Sequence, residues 1–198
     1  MAIGRTVEHF SSGFGGLPQH YLHASPEASP DDKSLALMYH LKREIQNDWW
    51  EVEALYDLCF APGREALSSY RLRDGVPPEA GLSHVARDGD GILAGAIRYW
   101  PVRIGSKQAL LLGPVAVHPT RQGEGLGRQL IETSLAVAEP LGWSRVMLVG
   151  DAPYYRRFGF EQLDGVVMPP PTNPDRVLGR AMRRGGWDGV TGDVARLG

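Results

Sequence analysis

An α/β fold, with strands and helices alternating along the chain, is predicted for the 198-residue chain by three features. An apolar run of strand length extends from Ala109 to Val117. An amphipathic helix follows from about Gly125 to Leu141, with Leu126, Leu130, Leu135 and Leu141 on roughly one face. A second short apolar run, Arg145 to Val149, comes next.

Taken in order, residues 1 to 37 read as an N-terminal extension, because Ser11 to Gly16, Pro18 and Ser25 to Asp32 are rich in turn formers and lack periodicity. Phe10, Phe14, Leu17, Tyr21 and Leu22 give that extension apolar surface with which to dock. Residues 38 to 198 form the domain. A strand is expected around Met38 to Arg43, then a helix to about Phe60 started by the capping-box-like pair Asp48 and Glu51. Pro62 and Gly63 break the chain, and Glu65 to Arg73 suits a second helix before Gly75-Val76-Pro77-Pro78. Leu82 to Arg87, the turn Asp88 to Gly91, and Ile92 to Arg103 read as an antiparallel hairpin. In the run that follows, Gly113 and Pro114 interrupt what is otherwise a central strand. Proline has no N–H for a ladder, so a bulge or strand separation is expected there. After Val149, Pro153 fits the first turn of a short helix that Gly159 ends.

The segment between the long strand and the helix, Val117 to Arg128, spaces Gly123, Gly125 and Gly127 at alternate positions. Amides at a helix start have no acceptor inside the helix and carry the positive end of its dipole. Glycines let an anion approach them closely, and Arg121 and Arg128 add positive charge, which points to a diphosphate ligand. A Gly-Lys-Ser/Thr ending is absent, and the glycine turn does not lie in a first strand–helix unit with an acid about twenty residues on, so neither a P-loop nor a dinucleotide fold is matched.

Gln122-x-x-Gly125-x-Gly127, followed downstream by Tyr155-x-x-x-Gly159-Phe160, resembles the acyl-CoA loop and the tyrosine segment of the GNAT superfamily of N-acetyltransferases. The resemblance spans roughly residues 38 to 184 and is densest from Leu110 to Phe160. It implies the GNAT acyl-CoA N-acyltransferase fold, in element order β-α-α-β-β-β-α-β-α-β-β, with a mixed central sheet flanked by helices and splayed at the cofactor site. It further implies acetyl-CoA as cosubstrate, its pyrophosphate on Gln122, Gly123, Gly125, Leu126, Gly127 and Arg128, and its pantetheine arm on the backbone of Val115 and Val117. Tyr155 is the implied acid that assists departure of the CoA thiolate while an amine, on a small molecule or a peptide, attacks directly. A tyrosine near pKa 10 and a thiol near 8.5 make full proton transfer uphill by roughly 2 kcal/mol, so Tyr155 acts mainly by hydrogen bonding unless Arg156 and Arg157 lower its pKa.

One departure from the family pattern concerns the base. Family members often carry a glutamate on the strand before the glycine turn, and Leu110 to Val117 holds no acid. Asp151, His118, Glu65 or water remain as candidates. The resemblance places acceptor selection at Ala61 to Tyr70 and at the loop Met168 to Pro174. A non-catalytic acyl-CoA-binding sensor that keeps the loop without turnover is the alternative reading.

Composition bounds the rest. A formal charge of −2 with both signs spread along the chain offers no footprint for nucleic acid. The lone Cys59 excludes an internal disulfide, and neither it nor the six histidines show metal-ligand spacing, so no metal is expected. No stretch reaches transmembrane length and the N-terminus lacks a signal-peptide core, so the expectation is a cytoplasmic protein, monomeric or homodimeric, without membrane association.

Overall fold

A computed structural model describes residues 38–60 and 63–197, so the extension assigned to residues 1–37 lies outside the described residues. Strand β1 (Tyr39–Arg43) and helix α1 (Trp49–Phe60) fall where the sequence places them. The role expected of Asp48 differs. It closes a 3₁₀ turn, Gln46–Asp48, where its Oδ2 accepts from the Ile45 N–H at 2.9 Å while Oδ1 pairs with Arg87 at 2.7 Å. The second helix is also shorter than expected. Arg64–Ala66 forms a 3₁₀ turn, Leu67 is extended (φ −67°, ψ 143°), and only Ser68–Arg71 is α-helical (α2).

The hairpin is formed by β2 (His84–Asp88) and β3 (Leu93–Ile104), and β4 (Lys107–Val117) returns antiparallel to β3. Helix α3 (Leu126–Ala138) leads to β5 (Arg145–Val149), which runs parallel to β4. Pro140 cannot donate the next helical hydrogen bond, so α3 stops short of the expected Leu141, which is 45% exposed. Helix α4 (Ala152–Tyr155) continues into a 3₁₀ turn that ends at Gly159, where φ is 75°. Two-residue strands β6 (Glu161–Gln162) and β7 (Val166–Val167) precede β8 (Val177–Ala181) and β9 (Gly192–Arg196). The sheet order is β1-β2-β3-β4-β5-β8-β6, and β9 pairs antiparallel with β3 and parallel with β7. That C-terminal strand lies beyond the stretch covered by the family resemblance.

Strand alternation divides the core between two faces. Val52, Leu55, Tyr56 and Phe60 of α1 pack with Val85, Leu93, Ala96 and Ala116 on one face. Leu126, Leu130, Ile131 and Leu135 of α3 pack with Ala86, Ala94, Ile97, Tyr99, Leu112 and Val117 on the other. Arg98 and Trp100 alternate with Ile97 and Tyr99 and therefore point to the α1 face, a placement that creates the site described below.

Candidate active site

Strands β4 and β5 are paired only at Leu110–Val146 and Leu111–Met147. From Leu112 onward β4 continues along β3 while β5 diverges, and the β3 register shifts between Ile97 and Tyr99, opposite Gly113 and Pro114. The expected bulge and strand separation are thus both present. The His118 N–H donates to the Ala94 carbonyl at 2.8 Å, which makes Ala116 and Ala96 the next hydrogen-bonded antiparallel pair. Val115 and Val117 therefore direct their backbone N–H and C=O groups away from β3, into the opening that β5 leaves. The Val117 carbonyl already accepts from Gln122 Nε2 at 3.2 Å. Of the residues expected to touch the cofactor, Gln122 thus shapes the turn through its side chain.

The glycine turn has the geometry its sequence requires. Gly123 (φ 86°) and Gly125 (φ 86°, ψ −3°) are left-handed, which favours glycine at both positions. Gly125 is the N-cap of α3, and the first helical bond runs from Gln129 N–H to its carbonyl at 3.1 Å. The amides of Leu126, Gly127 and Arg128 consequently have no acceptor within the helix. A Cβ built on Gly123 meets nothing within 4 Å, so the turn borders open space. The two arginines are less available than the sequence implies. Arg121 pairs with Asp88 at 3.0 Å and Arg128 with Glu132 at 3.0 Å. The anion cradle is therefore chiefly backbone. The Tyr39 hydroxyl donates to Glu124, tying the turn to β1, and burial with the Glu124 carboxylate pushes its pKa up to about 12.

Tyr155 follows the carboxyl end of β5, as the α3 amides follow that of β4, which puts both beside the same crevice. It is 2% exposed and packs edge-on against Tyr154 (5.0 Å between ring centroids) and Phe160 (5.9 Å). Its ring lies so close to Gly150 that an added Cβ there would stand 2.4 Å from its Cε2. Burial raises its pKa well above the ordinary tyrosine value, and the Tyr154 and Tyr99 fields add to this. The lowering expected from Arg156 and Arg157 is not found. Arg157 lies over the Tyr154 ring at 4.9 Å, and Arg176 is the cation that acts, weakly, on Tyr155.

On the α1 face, a cavity of about 640 Å³ opens against Pro114. Its walls are Trp49, Glu53 and Tyr56 of α1, Arg64 and Glu65, the segment from Tyr70 to Pro78, Arg98 and Trp100 of β3, and Arg196 of β9. Arg98, 1% exposed, grips Glu44 with Nε to Oε2 at 2.8 Å and Nη2 to Oε1 at 2.6 Å, and its Nη1 reaches Glu53. Arg64 donates to Asp57 at 2.7 Å, to Glu53 at 2.6 Å and to the Tyr70 hydroxyl at 2.9 Å. Burial opposes charge on both guanidiniums, but Glu44 at Arg98 and Glu53 at both outweigh it, so both pKa values rise.

The base candidates separate clearly. Glu65 lines the cavity, whereas Asp151 does not, and His118 hydrogen-bonds Thr120 at 2.8 Å in the turn after β4. Glu53 also lines the cavity, but each of its oxygens is held by an arginine. The loop Met168 to Pro174 is not among the residues lining this cavity, and it is tied to α2. Arg71 donates to the Pro170 carbonyl, and Ser68 and Thr172 hydroxyls meet at 2.6 Å. Arg64, Arg73 and Arg98 were not singled out in the sequence. Arg98 alone left a trace there, as a charge in the middle of the apolar strand Leu93 to Ile104, whose other charge, Arg103, stands next to its end.

A model of the acetyltransferase (GNAT) domain matches residues 79–162. The Escherichia coli K12 protein named "Uncharacterized N-acetyltransferase YhbS" is 32% identical over 123 residues, covering 61% of this chain and 72% of that protein. The chain belongs to the GNAT N-acetyltransferase family. Among solved structures, Escherichia coli YhbS in complex with CoA is similar at a TM-score of 0.71 and 28% identity, covering 88% of this chain and 93% of that one. A Brucella melitensis GNAT acetyltransferase in complex with acetyl-CoA is similar at 0.60 and 31% identity, covering 80% and 96%. This GNAT chain is accordingly an acyltransferase that draws on an acyl-CoA. The cradle fits such a ligand, since the α3-start amides, the open space over Gly123 and the parted strands lie at one end of the parallel pair. Among the described residues no group of three or more His, Cys, Asp or Glu is placed to hold a metal, and no helix is long and apolar enough to cross a membrane.

Proposed function

We propose that this GNAT enzyme transfers an acetyl group from acetyl-CoA to an amine by direct attack. The observation that carries the reading is the alignment of three features at the carboxyl ends of β4 and β5: the α3 amide cradle, the outward-facing backbone of Val115 and Val117, and the Tyr155 ring. Acetyl-CoA supplies an activated thioester. The amides of Gly125, Leu126, Gly127 and Arg128, with Gly123 leaving room, hold its diphosphate. The Val115 and Val117 backbone pairs with the pantetheine arm as a strand would, and an N–H of this stretch polarises the thioester carbonyl.

In the transfer, the amine nitrogen bonds to the acyl carbon, the C–S electron pair leaves on sulfur as the CoA thiolate, and the nitrogen gives up a proton; the thiolate takes a proton from solvent afterwards. Tyr155, with its pKa raised by burial, stays neutral and donates a hydrogen bond to the departing sulfur, because ionising it is more uphill than for a free tyrosine. The paired Glu53 orders Arg64 and Arg98, which leaves Glu65 or water to receive the amine proton. Calorimetric titration with CoA and acetyl transfer across an amine panel test the reading. Absence of CoA binding by the folded protein overturns it.

A further inference from the structure

Three of the five arginines lining the cavity are buried, and they are not treated alike. Arg64 and Arg98 are saturated by Glu44, Glu53 and Asp57. Arg73, 7% exposed, has none of these partners, and its Nε, Nη1 and Nη2 are all buried without a hydrogen-bond acceptor among the described residues. Tyr70 offers it a weak contact short of hydrogen-bonding geometry. Aromatic rings lie close to the guanidinium, with its carbon 4.3 Å from the Tyr70 centroid and 4.6 Å from that of Trp100. Such contacts leave the N–H groups at the edge of the fork unsatisfied. A buried charge lacking a counter-ion is costly, and a planar fork of N–H donors matches a carboxylate in two parallel bonds. Nη2 lies 3.7 Å from the position of a Cβ on Gly113, so the fork sits at the bulge where β4 leaves β5. Val115 is two residues farther along the strand, its Cα at most about 7 Å from that of Gly113.

We infer that the acceptor is a compact amino carboxylate, whose carboxylate docks on Arg73 beside Gly113 while its amine faces the thioester held along Val115 and Val117. The inference rests on the acetyl-transfer reading above. With the anionic end fixed at the bulge, the short span to Val115 admits an amine only a few atoms from its carboxylate, and the remaining cavity accommodates a side chain between Trp49, Tyr56 and Trp100.

The test uses the L-α-amino acids and β-alanine, each beside its carboxamide and its aminophosphonate analogue. Binding to the CoA-loaded protein is measured by calorimetry, and acetyl transfer is measured as kcat/KM. At least one amino acid should surpass its carboxamide by about 30- to 100-fold, as expected for losing a charged hydrogen-bonded pair. Amine basicity alone favours the carboxamide at neutral pH, so the preference cannot come from the chemistry of the nucleophile. Arg73→Gln should abolish the preference through KM while leaving CoA affinity unchanged, and Arg73→Lys should keep part of it. Equal use of acid and amide by the wild-type protein, a preference for the aminophosphonate, or a preference that survives in Arg73→Gln overturns the inference, and the first two need no variant to fold. Failure of CoA to bind instead overturns the acetyl-transfer reading, and carboxylate binding then remains readable by calorimetry on the free protein.

Discussion

Gly150→Ala tests the proposed role of Tyr155 by moving its ring without changing its chemistry. Gly150 is not among the glycines of positive φ, so alanine meets no backbone strain there. Its Cβ would stand 2.4 Å from Tyr155 Cε2, 2.8 Å from Cδ2 and 2.8 Å from Leu148 Cδ1. Ordinary contact lies beyond 3.4 Å, so the Tyr155 ring has to retreat by about 1 Å. Overpacking of this kind costs about 1–3 kcal/mol, visible as a Tm lowered by about 2–4 °C per kcal/mol in a chain of this size. A displacement of about 1 Å at a reacting centre costs on the order of a hundredfold in rate. The expected result is a folded variant with kcat reduced about a hundredfold and acetyl-CoA affinity nearly unchanged. Tyr155→Phe should lower kcat by a similar factor, since loss of a preorganised hydrogen bond to developing charge typically costs about a hundredfold or more, whereas Tyr154→Phe should do less. On the Tyr155→Phe background, Gly150→Ala should have little further effect, because the hydroxyl whose position it spoils is already gone. Fully additive losses, or wild-type activity in Gly150→Ala, would falsify the assignment of Tyr155.

Gly125→Val should weaken CoA binding by more than about tenfold in calorimetry, since it strains a left-handed position and crowds the α3 amides, each worth about 1.5–3 kcal/mol to a charged acceptor. Unchanged affinity in the folded variant removes the cradle from the site. Arg98→Met should cost about 3–5 kcal/mol in denaturant unfolding, because it removes the guanidinium from Glu44, while Glu53 keeps Arg64, and Glu44→Gln on that background should recover part of the loss. Cys59 should be slow to alkylate: burial raises its thiol to about 11, so roughly one in a thousand is thiolate at pH 8, and iodoacetamide labelling should run about two orders of magnitude slower than for a free cysteine. Labelling at the free-thiol rate would show the helix opening on that timescale.

The parts of the site made by local backbone chemistry were legible in the sequence. Gly113-Pro114 announced the parted strands because proline cannot ladder, and Gly123 and Gly125 announced a turn that needs left-handed residues. The acceptor cavity was not legible, for a physical reason. Glu44, Glu53, Arg64, Arg73 and Arg98 are scattered over 55 positions, and what matters is which charges pair, a matter of tertiary contact that no spacing encodes. The Glu65-to-Arg73 segment read as one helix because it lies between the breakers Pro62-Gly63 and Gly75-Val76-Pro77-Pro78. The extended Leu67 splits it instead and lets Arg64 turn back toward α1 while Tyr70 and Arg73 face the cavity. The loop Met168 to Pro174, which the resemblance assigned to acceptor selection, is joined to α2 by Ser68–Thr172 and Arg71–Pro170 hydrogen bonds, partners that lie about a hundred positions away in the sequence.

The charge pattern of the cavity also bears on how the acceptor loses its proton. A lysine-like amine at pKa about 10.4 costs roughly 4.6 kcal/mol to deprotonate at pH 7, and an α-amine near 7.8 about 1 kcal/mol, so without a dedicated base the rate follows the acceptor's own ionisation. In a free amino acid the carboxylate holds the ammonium proton more tightly. Docking that carboxylate on Arg73 offsets its field, and a unit charge about 4 Å away is worth roughly 1 kcal/mol even in water, or close to one pKa unit. Arg73 would then lower the amine pKa in the bound complex as well as hold the acceptor. Because kcat reports ionisations in the complex and kcat/KM those of the free species, the two profiles should separate. For an amino carboxylate, kcat/KM should rise to a plateau at the amine's solution pKa, and kcat should plateau about one unit lower. In Arg73→Gln the kcat inflection should return to the solution value. Coincident inflections in the wild-type enzyme exclude this effect of Arg73, and an inflection near pH 6 to 7 shared by acceptors of different pKa would establish an enzymic base, with His118 the first residue to replace.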